Sequence, residues 1–71
     1  MMDVPIRTET IDLDQLLKFA GLADSGGAAK SMICDGQVKV NGQTETRRRA
    51  TLRIGDIVEL DGAESLRIVG E

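Results

Sequence analysis

Arg47, Arg48 and Arg49 are the densest group of chemistry-bearing side chains in this sequence. Three adjacent like charges repel one another, and burying all of them would cost far more than a small fold can supply. They therefore belong on a surface, either as a solvated loop or as a contact for an anion. A guanidinium offers a planar fork of N–H donors that matches phosphate oxygens, so the triplet suits a phosphate-bearing partner. The surrounding charge favours that second reading. Residues 30–53 carry Lys30, Lys39, Arg47, Arg48, Arg49 and Arg53 against only Asp35 and Glu45. Residues 1–29 and 54–71 have net charges of −3 and −4, so the basic island sits inside a chain whose total is −3. Such asymmetry is a better guide to partners than the total charge. Lys30 and Lys39 read equally well as plain outward residues and as further phosphate contacts. Arg53 reads as a solvated strand charge.

Ser25-Gly26-Gly27 is a second group of interest. Ser25 is a helix N-cap by residue type. Two glycines in the following turn weaken the helix by roughly 1 kcal/mol each relative to alanine. Either a close helix–helix approach forbids side chains there, or the bare backbone N–H groups are kept open to a phosphate at the helix start.

The absences exclude whole classes of chemistry. The chain has no His, Trp or Tyr, a single Phe19 and a single Cys34. That leaves no usual zinc site and no Ser-His or Cys-His pair. The carboxylates are scattered through caps and turns without the ligand spacing of a calcium loop. No enzyme, metal or cofactor is expected. With almost no aromatic rings, a stacking platform for unpaired bases is not expected either. Cys34 reads as a small buried or half-buried helix residue. The 71 residues suit one domain, 1–71, with a margin of only about 3–5 kcal/mol. One thiol is compatible with a reducing cytosol. No apolar run is long enough to span a membrane, and the N-terminus lacks signal-peptide features, so the expected location is cytoplasmic.

The elements that must position these groups follow from periodicity and punctuation. Residues 6–11 read as a short edge strand. Asp12 and Gln15 form a capping-box pattern, and Leu13, Leu16, Leu17 and Ala20 have the spacing of one buried helical face. Gly21 ends that helix. A second helix starts at Ser25, buries Ala29, Met32 and Ile33, and stops at Gly36. Val38 and Val40 alternate with Gln37 and Lys39 as a half-buried strand. Asn41-Gly42 is a strong hairpin signal, with Gln43 to Thr46 returning. Leu52 and Ile54, Ile57 to Leu60 and Leu66 to Val69 read as further strands, with turns at Gly55-Asp56 and Asp61-Gly62. The expected architecture is α+β: two short N-terminal helices packed on a small, mostly antiparallel sheet.

The ordered series Ser25-Gly26-Gly27-Ala28-Ala29-Lys30, Ile33, Gly36, Val38, Val40, Asn41-Gly42 and Gly55-Asp56-Ile57-Val58 resembles the RNA-binding domain first known from ribosomal small-subunit protein four, the S-four or alpha-L fold. In detail it is similar to the small stand-alone bacterial branch of that superfamily. The likeness runs from about Ile11 to Leu60. It implies RNA gripped by the helix pair and adjoining loop, near ribosomal or other structured RNA. The wider family usually has Arg directly after the Ser that opens the second helix, where this chain has Gly26. The stand-alone branch shares the Gly-Gly and carries its basic charge at Lys30 and at Arg47-Arg48.

Two functions follow as expectations. The first is a non-catalytic, monomeric RNA-binding module for ribosomal or transfer RNA, using Arg47, Arg48, Arg49, Lys30, Lys39, Ser25, Gly26 and Gly27. Contact with about 3–5 phosphates gives a slope of log affinity against log salt of about −2 to −5. The second is a protein-interaction adaptor docking a charged partner such as a ribosomal protein, motivated by the net charge of −3. A partner that survives ribonuclease in a pull-down separates the second from the first.

Overall fold

Leu13, Leu16 and Leu17 form the buried stripe of one helix, and Ala29 and Ile33 that of a second. In the strands the apolar residues alternate: Val4 and Ile6, Val58 and Leu60, and Leu66 and Ile68 point inward while Asp3, Glu59 and Arg67 stay exposed. The two periodicities place all 15 buried residues in one hydrophobic cluster, with no buried polar side chain. A computed structural model describes residues 1–71.

The elements run β1 (Met2–Ile6), β2 (Thr10–Asp12), α1 (Leu13–Phe19), α2 (Gly26–Cys34), β3 (Val38–Val40), β4 (Gln43–Thr44), β5 (Thr51–Arg53), β6 (Ile57–Leu60) and β7 (Leu66–Gly70). Five strands form one sheet in the order β1-β7-β6-β3-β4, and β2 pairs with β5 as a separate antiparallel ribbon. All pairings in the larger sheet are antiparallel except β1 with β7. The molecule is thus a small α+β structure with a mostly antiparallel sheet.

The helices are not N-terminal: two strands precede them. The segment read as one edge strand over 6–11 is the end of β1 and the start of β2, with a bend across 7–9. Pro5 argues against a strand because it cannot donate to a ladder, yet β1 is an edge of the sheet, where a missing donor is tolerated. The chain's two ends are drawn together by this pairing. Asp3 lies opposite Arg67 in the register and bridges to it at 3.2 Å.

Both helices stop as their glycines predict. The Leu22 N–H donates to Leu17 O at 2.9 Å and the Gly21 N–H to Lys18 O at 3.1 Å, with Gly21 at φ +78°. The same pair of bonds recurs at Gly36 and Gln37, with Gly36 also at φ +78°. This double closure satisfies carbonyls that the last helical turn leaves unpaired. The start of α1 differs from expectation. Asp12 occupies the N-cap position but its side chain makes no capping bond, so the Asp12/Gln15 box does not form. Instead the Leu13 N–H donates to Ala50 O at 3.0 Å and the Asp14 N–H to Arg48 O at 2.9 Å. Carbonyls of the arginine loop do what the Asp12 carboxylate was expected to do. Cys34 is exposed rather than buried, because the inward stripe of α2 runs through Ala29 and Ile33 and Cys34 lies about 100° further round. No helix is long and apolar enough to cross a membrane.

Candidate nucleic-acid interface

The arginine triplet lies in the loop between β4 and β5. Its backbone is tightly held: the Ala50 N–H donates to Arg47 O at 3.1 Å, closing a turn, and the two carbonyl contacts above fasten the loop to the start of α1. Buried Ala50 and Leu52 anchor its downstream end in the core. A fixed backbone with exposed side chains presents cations in a defined place.

The three arginines are not equivalent. Arg47 is committed to Glu45: its Nη2 donates to Oε1 at 3.0 Å and its Nε to Oε2 at 3.3 Å. The Thr46 and Arg47 backbone N–H groups donate to the same Oε2 at 3.1 and 3.3 Å. Glu45 is tucked in, with a side chain 19% exposed, whereas that of Arg47 is 80% exposed. Hydrogen bonding to Arg47 holds the Glu45 carboxyl below its ordinary value of 4.5; burial opposes this and the two backbone donors reinforce it. The carboxylate in turn raises the Arg47 guanidinium above its usual range. Arg48 and Arg49 are exposed and make no salt bridge. The sequence triplet is therefore one structural arginine, clasped by Glu45, followed by two free ones.

This clasp has a pH signature. A carboxyl whose folded pKa is depressed adds stability above its unfolded value and loses it as pH falls through the folded one. The Thr46 and Arg47 amide resonances are therefore expected to titrate with a midpoint below 4.5. A midpoint at or above that value contradicts the clasp.

The β3–β4 hairpin adjoins the loop. Asn41 (φ 52°) and Gly42 (φ 85°) form its turn, as the sequence predicts. Val40, Asn41, Gln43, Thr44, Glu45 and Arg47 line one shallow, polar hollow beside it. The hairpin is further locked by side chains. Asn41 Nδ2 donates to Asp56 Oδ1 at 3.1 Å, and the Ile57 N–H donates to Asn41 Oδ1 at 2.9 Å. The second Asp56 oxygen accepts from the Arg53 N–H at 2.9 Å. Turn chemistry alone explains Asn41-Gly42 and Gly55-Asp56 separately; the sequence signal for their joining is only that each supplies a short polar side chain beside a glycine.

Lys39 is exposed on β3, opposite Thr44 on one side and Glu59 on the other, without a salt bridge. Lys30 is exposed on α2 and likewise unbridged. The C-terminal end of α2 abuts the hairpin: a Cβ built at Gly36 would lie 3.8 Å from Thr44 Cγ2. Ser25, Gly26 and Gly27 stand at the far end of the same nine-residue helix, about 13 Å along its axis. The hairpin and arginine loop thus form one neighbourhood, with the start of α2 a helix length away.

At that start, Ser25 Oγ accepts from the Ala28 N–H at 3.1 Å, the expected cap. The two readings of the glycine pair are separated here. A Cβ at Gly26 would meet nothing within 4 Å, and one at Gly27 only Ser25 Oγ at 3.8 Å. Close packing does not demand glycine at either position. The Gly26 and Gly27 N–H groups donate to no protein acceptor. Gly26→Ala is accordingly expected to stabilise the fold by up to about 1 kcal/mol. Urea unfolding checks this: the midpoint should rise with an unchanged slope, and a fall would mean that the glycine serves the fold after all.

The S4 domain family model matches residues 4–69. This chain belongs to the S4 domain family. Probable ribosome maturation protein RlbA of Bacillus subtilis is 41% identical over 66 residues, 93% of each chain. YbcJ of Escherichia coli K12 is 42% identical over 59 residues, 83% of each chain. The solution structure of YbcJ, reported to reveal an αL motif involved in RNA binding, superposes with a TM-score of 0.66 and 35% identity, covering 97% of this chain and 85% of that one. The 30S ribosomal protein S4e of Thermoplasma acidophilum superposes with a TM-score of 0.64 and 25% identity. The match covers 86% of this chain but only 32% of S4e.

Proposed function

We propose that this chain is a non-catalytic, cytoplasmic module that holds structured RNA, of the ribosomal or transfer class, through phosphate contacts. Membership of the S4 domain family across residues 4–69 is the observation that carries the reading. The relatives support it by their names, one a ribosome maturation protein and the other with an αL motif involved in RNA binding. In this reading Arg48 and Arg49 are the principal phosphate contacts. Arg47 adds its unclasped N–H groups, since Glu45 engages only Nε and one donor of Nη2. Lys39 and Lys30 extend the contact along the hairpin and α2. The bare N–H groups of Gly26 and Gly27, behind the Ser25 cap, take a further phosphate at the helix start. A chain of net charge −3 needs such local concentration, because its long-range field repels a polyanion.

Titration with bulk transfer RNA and with a ribosomal RNA fragment, at several salt concentrations, tests the reading. Expected is binding that weakens with salt at a log–log slope of about −2 to −5. Gly26→Ala, though stabilising, should weaken it. Absence of binding to both RNAs at low salt overturns the proposal, and a ribonuclease-resistant protein partner would put an adaptor role in its place.

A further inference from the structure

Phe19 is the sole aromatic residue of the chain and is 63% exposed, although α1 has a buried stripe of leucines beside it. Its position suits a planar ligand. The ring stands between two shallow hollows, one formed with Pro5, Thr8 and Ile11 and the other with Ile11, Gln15 and Lys18.

The apolar surface of these two hollows is small. It is far below the roughly 800 Å² per partner of a standard protein–protein interface. Its rim carries hydrogen-bonding groups, as the edge of a base requires: Thr8, Gln15, and an Arg7–Glu71 pair that neutralises itself at 3.0 Å. Lys18 is exposed and makes no salt bridge, so it is free for the phosphate of a stacked nucleotide. The unpaired carboxylate of Glu9 borders the neighbouring hollow and disfavours a phosphate directly over it, leaving the base as the part that fits. The helix that carries Phe19 also touches the arginine loop through its backbone. Asp14, whose N–H meets Arg48 O, lies five residues before Phe19 on the same helix, about 7.5 Å along its axis. That axial rise equals roughly two steps of a nucleic-acid strand, which would also have to pass about 140° round the helix.

We propose that Phe19 stacks one unpaired nucleobase of the RNA whose phosphates the Arg48–Arg49 loop holds, with Lys18 on the adjoining phosphate; this rests on the RNA-binding reading above. A lone ring cannot make a platform for successive bases, but it can select a looped-out or bulged one. The site would thereby favour folded RNA with an unpaired base over a continuous duplex.

The test compares an RNA hairpin with an eight-nucleotide loop to a blunt RNA duplex of equal length. Wild type, Phe19→Leu and Phe19→Trp are measured, with folding checked by circular dichroism. Phe19→Leu keeps the apolar bulk and removes the ring. It should weaken hairpin binding about 5- to 150-fold and leave duplex binding within about twofold. Phe19→Trp should bind the hairpin at least as well as wild type. Because Phe19 supplies every aromatic carbon signal of the protein, its resonances should move upfield on adding the hairpin and stay in place with the duplex. Unchanged hairpin affinity in Phe19→Leu, or an equal loss on both RNAs, overturns the stacking site while leaving the phosphate contacts standing. Wild type that binds neither RNA overturns the RNA-binding reading, and the stacking site with it.

Discussion

Arg48→Ala combined with Arg49→Ala is expected to reduce RNA affinity at least thirtyfold at low salt, with the fold intact. Each lost charge-assisted contact is worth about 1 kcal/mol or more, and about 2 kcal/mol is a factor of thirty. The slope of log affinity against log salt should become shallower by about 1.4 to 1.8, because two phosphate contacts and their counterions are lost. Folding should be unaffected: both side chains are exposed and unpaired, and the Arg48 carbonyl that receives the Asp14 N–H survives the substitution. Arg47→Ala is a different experiment. It strands the half-buried Glu45 carboxylate without its main partner and should loosen the turn as well as remove a cation. Equilibrium titrations at three salt concentrations separate the two cases. A double variant with wild-type affinity and slope would remove the loop from the interface.

Leu17→Ala should remove nearly all of the folding margin and leave a substantial fraction of the protein unfolded at room temperature. Leu17 is fully buried, and its carbonyl accepts from the Leu22 and Ala23 N–H groups that end α1. A leucine-to-alanine change at such a site costs about 2.7–5 kcal/mol once the cavity is included. The margin expected for a core of this size is about 3–5 kcal/mol. Far-UV circular dichroism with urea unfolding reads the outcome directly. A cooperative transition displaced by less than about 1 kcal/mol would mean that the core tolerates the void and that the fold has more reserve than its size suggests.

Much of this structure is legible in the residues because local chemistry and tertiary packing agree. Ser25 caps α2, Gly21 and Gly36 close the helices, Asn41-Gly42 turns the hairpin, and alternation sets the inward faces of β6 and β7. Two of the exceptions share a cause: each is decided by a partner distant in sequence. β1 was hidden because Pro5 is a poor strand residue, and only its place at the edge beside β7 makes it acceptable. The Asp12/Gln15 capping box is a sound local motif that loses to carbonyls arriving from residues 48 and 50.

The candidate site divides differently. Its residue types could be read directly, as could their looped or helical settings. Which arginines are free could not, since Glu45 looks like one more surface charge until its carboxylate is seen to face both the Arg47 guanidinium and the loop's own amides. A charged residue two places before an arginine run is the only hint of that clasp. Exposure of Phe19 was equally invisible, because its position next to a leucine stripe suits a core residue. The glycine pair shows the reverse: the sequence left two readings open, and the empty space around Gly26 closes one of them.

Holding RNA on the arginine loop is the function proposed for this molecule. The measurement that bears on it most directly is capture of the tagged chain from bacterial cells, with sequencing of the associated RNA, set beside the Arg48→Ala/Arg49→Ala variant. Enrichment of a structured ribosomal or transfer RNA with the wild-type chain, and its loss with the variant, is the expected result. No RNA above background, or the same RNA recovered equally by both, would contradict it.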